Sequence, residues 1–434
     1  ILILRWIIFR PILRLVESAR QARSGKVTDG SAAVKSSGFF RPIAEEISKI
    51  SKSLLQARTA ASEEARLRLE KVDSPWTEER LKEFIKAYLK DRKIFVVSNR
   101  EPYVHAKIKD KIQYTVPAGG VVTALEPIMA ACGGLWMAYG SGDADRLVVD
   151  KNDKLMVPPD EPKYTLKRLW LSADEVEGYY NGFSNEALWP LCLLAHNRPL
   201  FRKEDWAEYR KVNGKFAKAM LSEIKDVQRP IILVQDYHLA LLPEMIKKSR
   251  PDAEVGLFWH IPWPSAEAFS ICPQRKEILA GMLGADVVGF HTQQYCNNFL
   301  ETVSKELESL VDLEKFAITH KGHVAQIKPL PISVAFTGND TDALPKSLLP
   351  EELGIKVEYL GLGVDRLDYT KGILEKLRGV EFFFDMYPDF KKQFTLLQIA
   401  APSREGVAKY QEFNEDVTAE AERINKKFSI GDWQ

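Results

Sequence analysis

A chain of 434 residues with 45% hydrophobic content can bury the cores of two or three domains and is no disordered polymer. Lys plus Arg (61) and Asp plus Glu (60) nearly cancel, which excludes a general affinity for nucleic acid while leaving room for a small anion held by local arginines. Cys132, Cys192, Cys272 and Cys296 are scattered without CxxC spacing and the seven histidines form no ligand-spaced cluster, so reduced core thiols in a cytoplasmic compartment and no metal site are expected.

The opening run, residues 1–9, is broken by Arg5 and is shorter than the about 20 apolar residues a bilayer span needs. With Arg5, Arg10 and Arg14 as a positive inner flank, it reads as the cytoplasmic end of a transmembrane helix that begins before Ile1. An ordinary amphipathic helix or a signal-peptide remnant is the alternative. Pro11 then opens a helical pattern (Ile12, Leu15, Val16, Ala19) that ends near Ser24 and Gly25. After a Gly/Ser connector, Ile43, Ile47, Ile50 and Leu54 recur in the spacing of a coiled-coil seam. Over residues 1–60 this pattern resembles a HAMP linker, a plain dimerising coiled coil being the alternative, and both imply a homo-oligomer. Residues 61–92 read as a charged helical linker broken at Pro75.

From Lys93 onward, apolar runs at 94–97, 231–234, 255–259, 286–290, 357–364 and 394–399 alternate with helical patterns, which predicts an α/β fold with parallel sheets. Pro329-Leu330-Pro331 and the Gly/Asp/Pro-rich loop to about Leu353 mark a boundary between two α/β domains.

Open α/β sheets bind ligands beyond the carboxyl ends of their strands, so the residues that follow each run are the informative ones. Here they are Ser98-Asn99-Arg100, then Asp236 and His238, then His260, then Asp365-Arg366 with Asp368-Tyr369-Thr370-Lys371, and finally Ser403-Arg404. Guanidinium forks and an ammonium in such places suit phosphate. No Walker-type loop is present, but Pro117-Ala118-Gly119-Gly120 precedes a helical stretch at 121–131, where bare backbone and a helix N-terminus could meet an anion. Tyr179-Tyr180-Asn181-Gly182-Phe183-Ser184-Asn185 and Leu188-Trp189-Pro190 combine rings with amides and hydroxyls, as a sugar requires, or as a core with incidental polar neighbours would. Asp236 has no convincing second carboxylate, which argues against a glycosidase.

In chain order, VVSNR, AGGVVTALEP, GGLWMAYG, YYNGFSNEALWP, VQDYHLALLP, FWHIPWPSAEAF, MLGADVVGFHT, GVDRLDYTKGI and QIAAPSREGV resemble the trehalose-6-phosphate synthases, glycosyltransferase family 20. The resemblance runs from about Lys93 to the C-terminus. It implies a GT-B architecture of two Rossmann-like domains, residues 93–335 for the acceptor and 336–434 for the nucleotide sugar. It implies transfer of glucose from UDP-glucose to glucose 6-phosphate with retention, giving trehalose 6-phosphate and UDP, with no cofactor beyond these substrates. Matched position by position, Arg100, Tyr180, Trp189, Asp236 and Arg404 would contact the acceptor, with Arg100 and Arg404 nearest its phosphate. Gly120 would admit the donor's phosphates and His260 would contact the transferred glucose. Arg366 and Lys371 would neutralise the departing diphosphate, so that Arg366, Lys371, His260 and Asp236 form the expected catalytic set. The leaving phosphate would itself take the acceptor's proton.

The family's second domain continues past the position of Gln434 with an acidic donor-gripping motif, so the chain reads as a fragment whose donor site is impaired. The loop Gly140-Ser141-Gly142-Asp143-Ala144-Asp145 and Val116-Pro117 depart from the best-known members, which leaves the acceptor less fixed than the reaction class. A relative acting on glycerol 3-phosphate is the rival enzyme. A non-catalytic, membrane-tethered sugar-phosphate sensor is the rival class, against which the Arg366 and Lys371 pair argues. The expected setting is a cytoplasmic catalytic region anchored to the inner membrane.

Overall fold

In the computed structural model of the protein, which describes residues 78–89, 92–117, 120–195, 197–332, 354–404, 406–431 and 433, strand β1 (Ile94–Arg100) is buried along nearly its whole length. Its side chains alternate between two cores, Phe95 and Val97 in one, Ile94 and Val96 in the other, which is why the run is apolar at every position. The expected membrane-proximal helices, most of the 61–92 linker and the proposed boundary at 336 lie outside the described residues. Within 61–92, helix α1 (Glu78–Leu89) packs against α2 (Gly120–Cys132).

β1 belongs to a ten-stranded sheet. On one side of it lie β4 (Leu135–Tyr139) and β6 (Tyr164–Leu169), on the other β7 (Ile231–Gln235), β8 (Glu254–Phe258), β9 (Val287–Phe290) and β12 (His323–Pro329), all parallel. Antiparallel β5 (Lys154–Val157) finishes one edge, and β11 (Ala317–His320) with β10 (Leu310–Asp312) the other. The chain builds outward from β1 to β6, returns to place β7 beside β1, and builds the other way. The direction therefore reverses between β1 and β7, whose carboxyl ends flank a crevice. Helix α3 (Lys203–Glu223) covers one face through Trp206, Tyr209, Val212, Phe216 and Met220, spaced three or four apart as an amphipathic stripe requires.

A second βαβ unit follows: β13 (Tyr359–Arg366), a crossover helix α7 (Ile373–Met386) and β14 (Phe394–Ala401), parallel to β13 in register from Tyr359↔Phe394 to Arg366↔Ala401. Between α3 and α7 in chain order fall α4 (Leu242–Ser249), α5 (Arg275–Met282) and α6 (Gln293–Glu306), and α8 (Ala408–Phe428) packs on α7. Leu367, Ile373, Phe413 and Val417 form the core of this unit.

Strands appear at each of the six apolar runs. Several others were not anticipated. β2 (Val104–Ile108) and β3 (Lys111–Thr115) form a separate hairpin that intervenes between β1 and the Gly119-Gly120 turn. β3 is exposed along its length and β6 alternates, so neither forms an apolar run, and β5 is an edge strand of only four residues.

Candidate active site

The polar residues that end β1, β7, β8, β13 and β14 meet at one cavity of about 470 Å³. Its walls include Arg100, Gly120, Tyr180, Trp189, Asp236, His260, Arg366, Lys371 and Arg404, every residue to which the family resemblance assigns a role; Asp365, Asp368 and Ser403, also strand-end candidates, do not line it. The one carboxylate among these nine faces four cations, so the site is built for an anion.

The aromatic cluster divides between core and cavity. Residues Val176–Leu188 wind as a π-helix. Tyr180 and Trp189 are nine positions apart, which an α-helix at about 3.6 residues per turn would put on opposite faces; the wider winding sends both to the cavity. Tyr179 and Phe183 turn instead into the core against Tyr209. Arg100 Nη2 donates to the Tyr180 hydroxyl at 2.9 Å. Burial raises the Tyr180 phenol's pKa, but the nearby Arg100 and Arg404 charges bring it below its ordinary value.

Asp236 ends β7 with φ 73° and ψ 170°, a conformation that favours glycine. Its Oδ1 accepts from Tyr237 N at 2.9 Å and His260 N at 3.1 Å. Burial nevertheless pushes the carboxyl up to about 7 against those two amides and the Arg404 charge. His238 stacks between Tyr180 and Tyr237 with neither ring nitrogen hydrogen-bonded among the described residues, its Nδ1 3.8 Å from Asp236 Oδ2. Burial, and then Arg404 and Arg100, hold it neutral. His260 is also neutral, lowered to about 3 by burial and by His291, and its Nε2 donates to Gln235 Oε1 at 2.9 Å.

From the second unit, Arg404 reaches across to stack its guanidinium 3.8 Å over the Trp189 ring. Its Nη1 donates to Asp368 Oδ2 at 2.9 Å and to the Tyr410 hydroxyl. Its Nε is buried without a partner among the described residues, a free donor beside the cavity. Asp368, fully buried, also lies 3.7 Å from Arg366 Nη2 and accepts from Thr370 N at 3.0 Å. One carboxylate thus ties both arginines and the turn Tyr369–Lys371. Lys371 itself makes no ion pair among the described residues. The cations fall into two groups: Arg100 with Arg404 around Tyr180 and Trp189, and Arg366 with Lys371 at the end of β13.

Gln235, Tyr237, His238 and His291 also line the cavity. His291 follows β9 directly, so the strand-end rule that found His260 applies to it as well; Tyr410 lies within α8 and carries no such signal.

Two βαβ units whose strand ends converge on a cation-lined cavity have the architecture of the GT-B glycosyltransferases. The chain belongs to glycosyltransferase family 20, whose profile matches residues 92–434. The α,α-trehalose-phosphate synthase (UDP-forming) of Pichia angusta is 34% identical over 360 residues, 77% of this chain and 72% of that one. The trehalose-6-phosphate synthase of Mycolicibacterium gilvum is 35% identical over 347 residues, 77% of this chain and 68% of that one. A solved E. coli structure in this group, bound with UDP-2-fluoro glucose, superposes with a TM-score of 0.61 at 28% identity, covering 79% of this chain and 72% of its own.

Proposed function

We propose that this chain transfers glucose from UDP-glucose to glucose 6-phosphate, with retention, forming trehalose 6-phosphate and UDP. The observation that carries this is the division of the four cations in one cavity. Arg100 and Arg404 suit the dianionic phosphate of an acceptor whose ring lies against Tyr180 and Trp189, and Arg366 and Lys371 suit a diphosphate. Asp236 would accept a hydroxyl of the acceptor, and His260 would hydrogen-bond the transferred glucose as a neutral ring.

In the reaction the bond from the sugar's anomeric carbon to the β-phosphate oxygen breaks, and the acceptor's anomeric hydroxyl attacks on the same face. Its proton passes to the leaving phosphate oxygen. Arg366 and Lys371 stabilise the charge that develops there, with no reorganisation at the moment of reaction. No protein nucleophile and no metal or cofactor enters. The arginines near Ile1 and the Ile43-to-Leu54 seam support an inner-membrane tether, a cytoplasmic catalytic region and a homo-oligomer; these residues lie outside the described structure. Among the described residues no helix is long and apolar enough to cross a membrane.

The test is UDP release from UDP-glucose with and without glucose 6-phosphate, and product mass across a panel that includes glycerol 3-phosphate. Release independent of glucose 6-phosphate overturns the assignment.

A further inference from the structure

Behind the acceptor wall lies a buried charge cluster that the reaction above does not use. Arg168, on β6, is 1% exposed and spends its donors on three stretches of chain. Its Nε donates to Glu101 Oε2 at 2.6 Å, Nη1 to Asp145 O at 3.0 Å and Nη2 to Tyr103 O at 2.8 Å. Nη2 also lies 2.8 Å from Asp145 Oδ1 and from His105 Nδ1. The two carboxylates extend the net: Glu101 Oε1 accepts from Ser141 N at 2.9 Å, and Asp145 accepts from His105 N at 2.8 Å and Gly142 N at 2.6 Å. A Cβ on Gly142 would sit 2.2 Å from His105 O, so the loop after β4 closes onto this cluster only with glycine there.

A wholly buried ionic cluster is a poor source of stability, since desolvation offsets its attraction and a packed apolar core would serve as well. What it supplies is geometry. The segment it clamps begins one residue after Arg100, where β1 slips its register against β4, and Arg100 pairs with Tyr139 immediately before the clamped loop. Ser98 Oγ, itself accepting from Trp136 Nε1 at 2.7 Å, donates to Arg100 O at 2.7 Å from the other side.

We propose that Arg168, acting through Glu101 and Asp145, is the positioning residue for Arg100 and so sets affinity for the acceptor's phosphate. This rests on the acceptor role given to Arg100 above. The cluster also makes that affinity depend on pH. The groups facing Glu101 are Arg168 on β6, Asp145 in the turn after the loop and Tyr139 on β4, and His105 on β2 faces Arg168 and Asp145 in turn. Burial, then the hydrogen bond with Asp145, pushes Glu101 up to about 8 despite Arg168. His105 is lowered by burial and Arg168 and stays neutral. At neutral pH Glu101 keeps its proton; its ionisation above about pH 8 adds a negative charge to the cluster, and the clamp loosens.

Glucose 6-phosphate affinity by calorimetry and UDP release, read from about pH 6.5 to about pH 9.5 in wild type, Arg168→Lys and Glu101→Gln, tests this. Arg168→Lys, which loses the fork, should raise Kd and KM for glucose 6-phosphate about tenfold while KM for UDP-glucose and kcat stay within about twofold. Wild-type acceptor KM should climb above about pH 8, and Glu101→Gln should flatten that climb. Unchanged acceptor affinity in folded Arg168→Lys, equal losses for both substrates, or a climb that persists in Glu101→Gln overturns the positioning role. If Arg168→Lys does not fold, the Glu101→Gln profile decides. Wild type that does not bind glucose 6-phosphate overturns the proposed function itself, and this inference with it.

Discussion

The Arg404 guanidinium lies 3.8 Å over the Trp189 indole, joining the loop after β14 to the residue that directly follows the π-helical segment. The side chain is 5% exposed and its only carboxylate contact within ion-pair distance among the described residues is Asp368. Arg404→Lys keeps the charge but loses the planar stack and the fork, so kcat/KM for glucose 6-phosphate should fall about 10- to 100-fold. Arg404→Ala also strips Asp368 of its nearest cation and should cost about 1–3 kcal/mol of stability. Steady-state kinetics and urea unfolding check both; an Arg404→Lys enzyme with wild-type acceptor KM would count against the phosphate role.

Arg366 and Lys371 should separate from Arg404 in their kinetics. If they act on charge that develops only as UDP leaves, Arg366→Ala and Lys371→Ala should each lower kcat by about 10²- to 10³-fold and leave the acceptor KM nearly unmoved. The double variant should lose less than the product of the two, because both serve one leaving group. Since side chains supply this charge, treatment with a chelator of divalent metals should leave the rate within about twofold. A large rise in acceptor KM, or loss of activity on chelation, would break the assignment.

Asp236 combines a glycine-like backbone with a carboxyl pushed up to about 7 by burial. The unfolded group titrates near 3.8, so between these values the native state holds a proton the unfolded chain releases. The stability it contributes is full below about pH 3.8 and is lost as pH rises through about 7. Asp236→Asn retains an acceptor for Tyr237 N and His260 N but cannot titrate. The melting temperature of wild type should therefore drop relative to Asp236→Asn between about pH 5 and about pH 8. Asp236→Gly relieves the backbone but leaves Tyr237 N and His260 N without their acceptor, so acceptor-dependent activity should fall with no net gain in stability. Parallel melting curves at the two pH values would reject the raised carboxyl.

What was legible from sequence follows from burial. β1 and β7 are flanked by strands and covered by cores, so they are apolar along their length and the polar residue that follows stands out: Arg100 and Asp236 were found this way. The β2–β3 hairpin and β5 leave a face or an edge to solvent and show no such run. Periodicity alone does not tell Tyr179 from Tyr180, because the wider winding of the π-helix that separates core from cavity is not the helical period read from sequence; the family resemblance picks out Tyr180. Asp368 was visible as a strand-end residue, but its tie to Arg404, 36 positions on, arises only when β13 and β14 pair.

Gly120 offers the cleanest separation of folding from function. A Cβ placed on it meets no described atom within 4 Å, so packing does not require glycine there. Gly120 begins α2, where alanine is the better helix former by up to about 1 kcal/mol. Gly134 is the contrast: at φ 104° a Cβ would lie 2.3 Å from Ile94 O, inside the β1 layer. Gly134→Ala should therefore lower the melting temperature sharply, while Gly120→Ala should hold or raise it. If the bare backbone at Gly120 makes room for the donor's phosphates, KM for UDP-glucose should nonetheless rise in Gly120→Ala with the acceptor KM unchanged, and Gly120→Val should exaggerate the effect. A Gly120→Ala enzyme with wild-type kinetics for both substrates would remove this residue from the donor site, because no structural need is left to explain it.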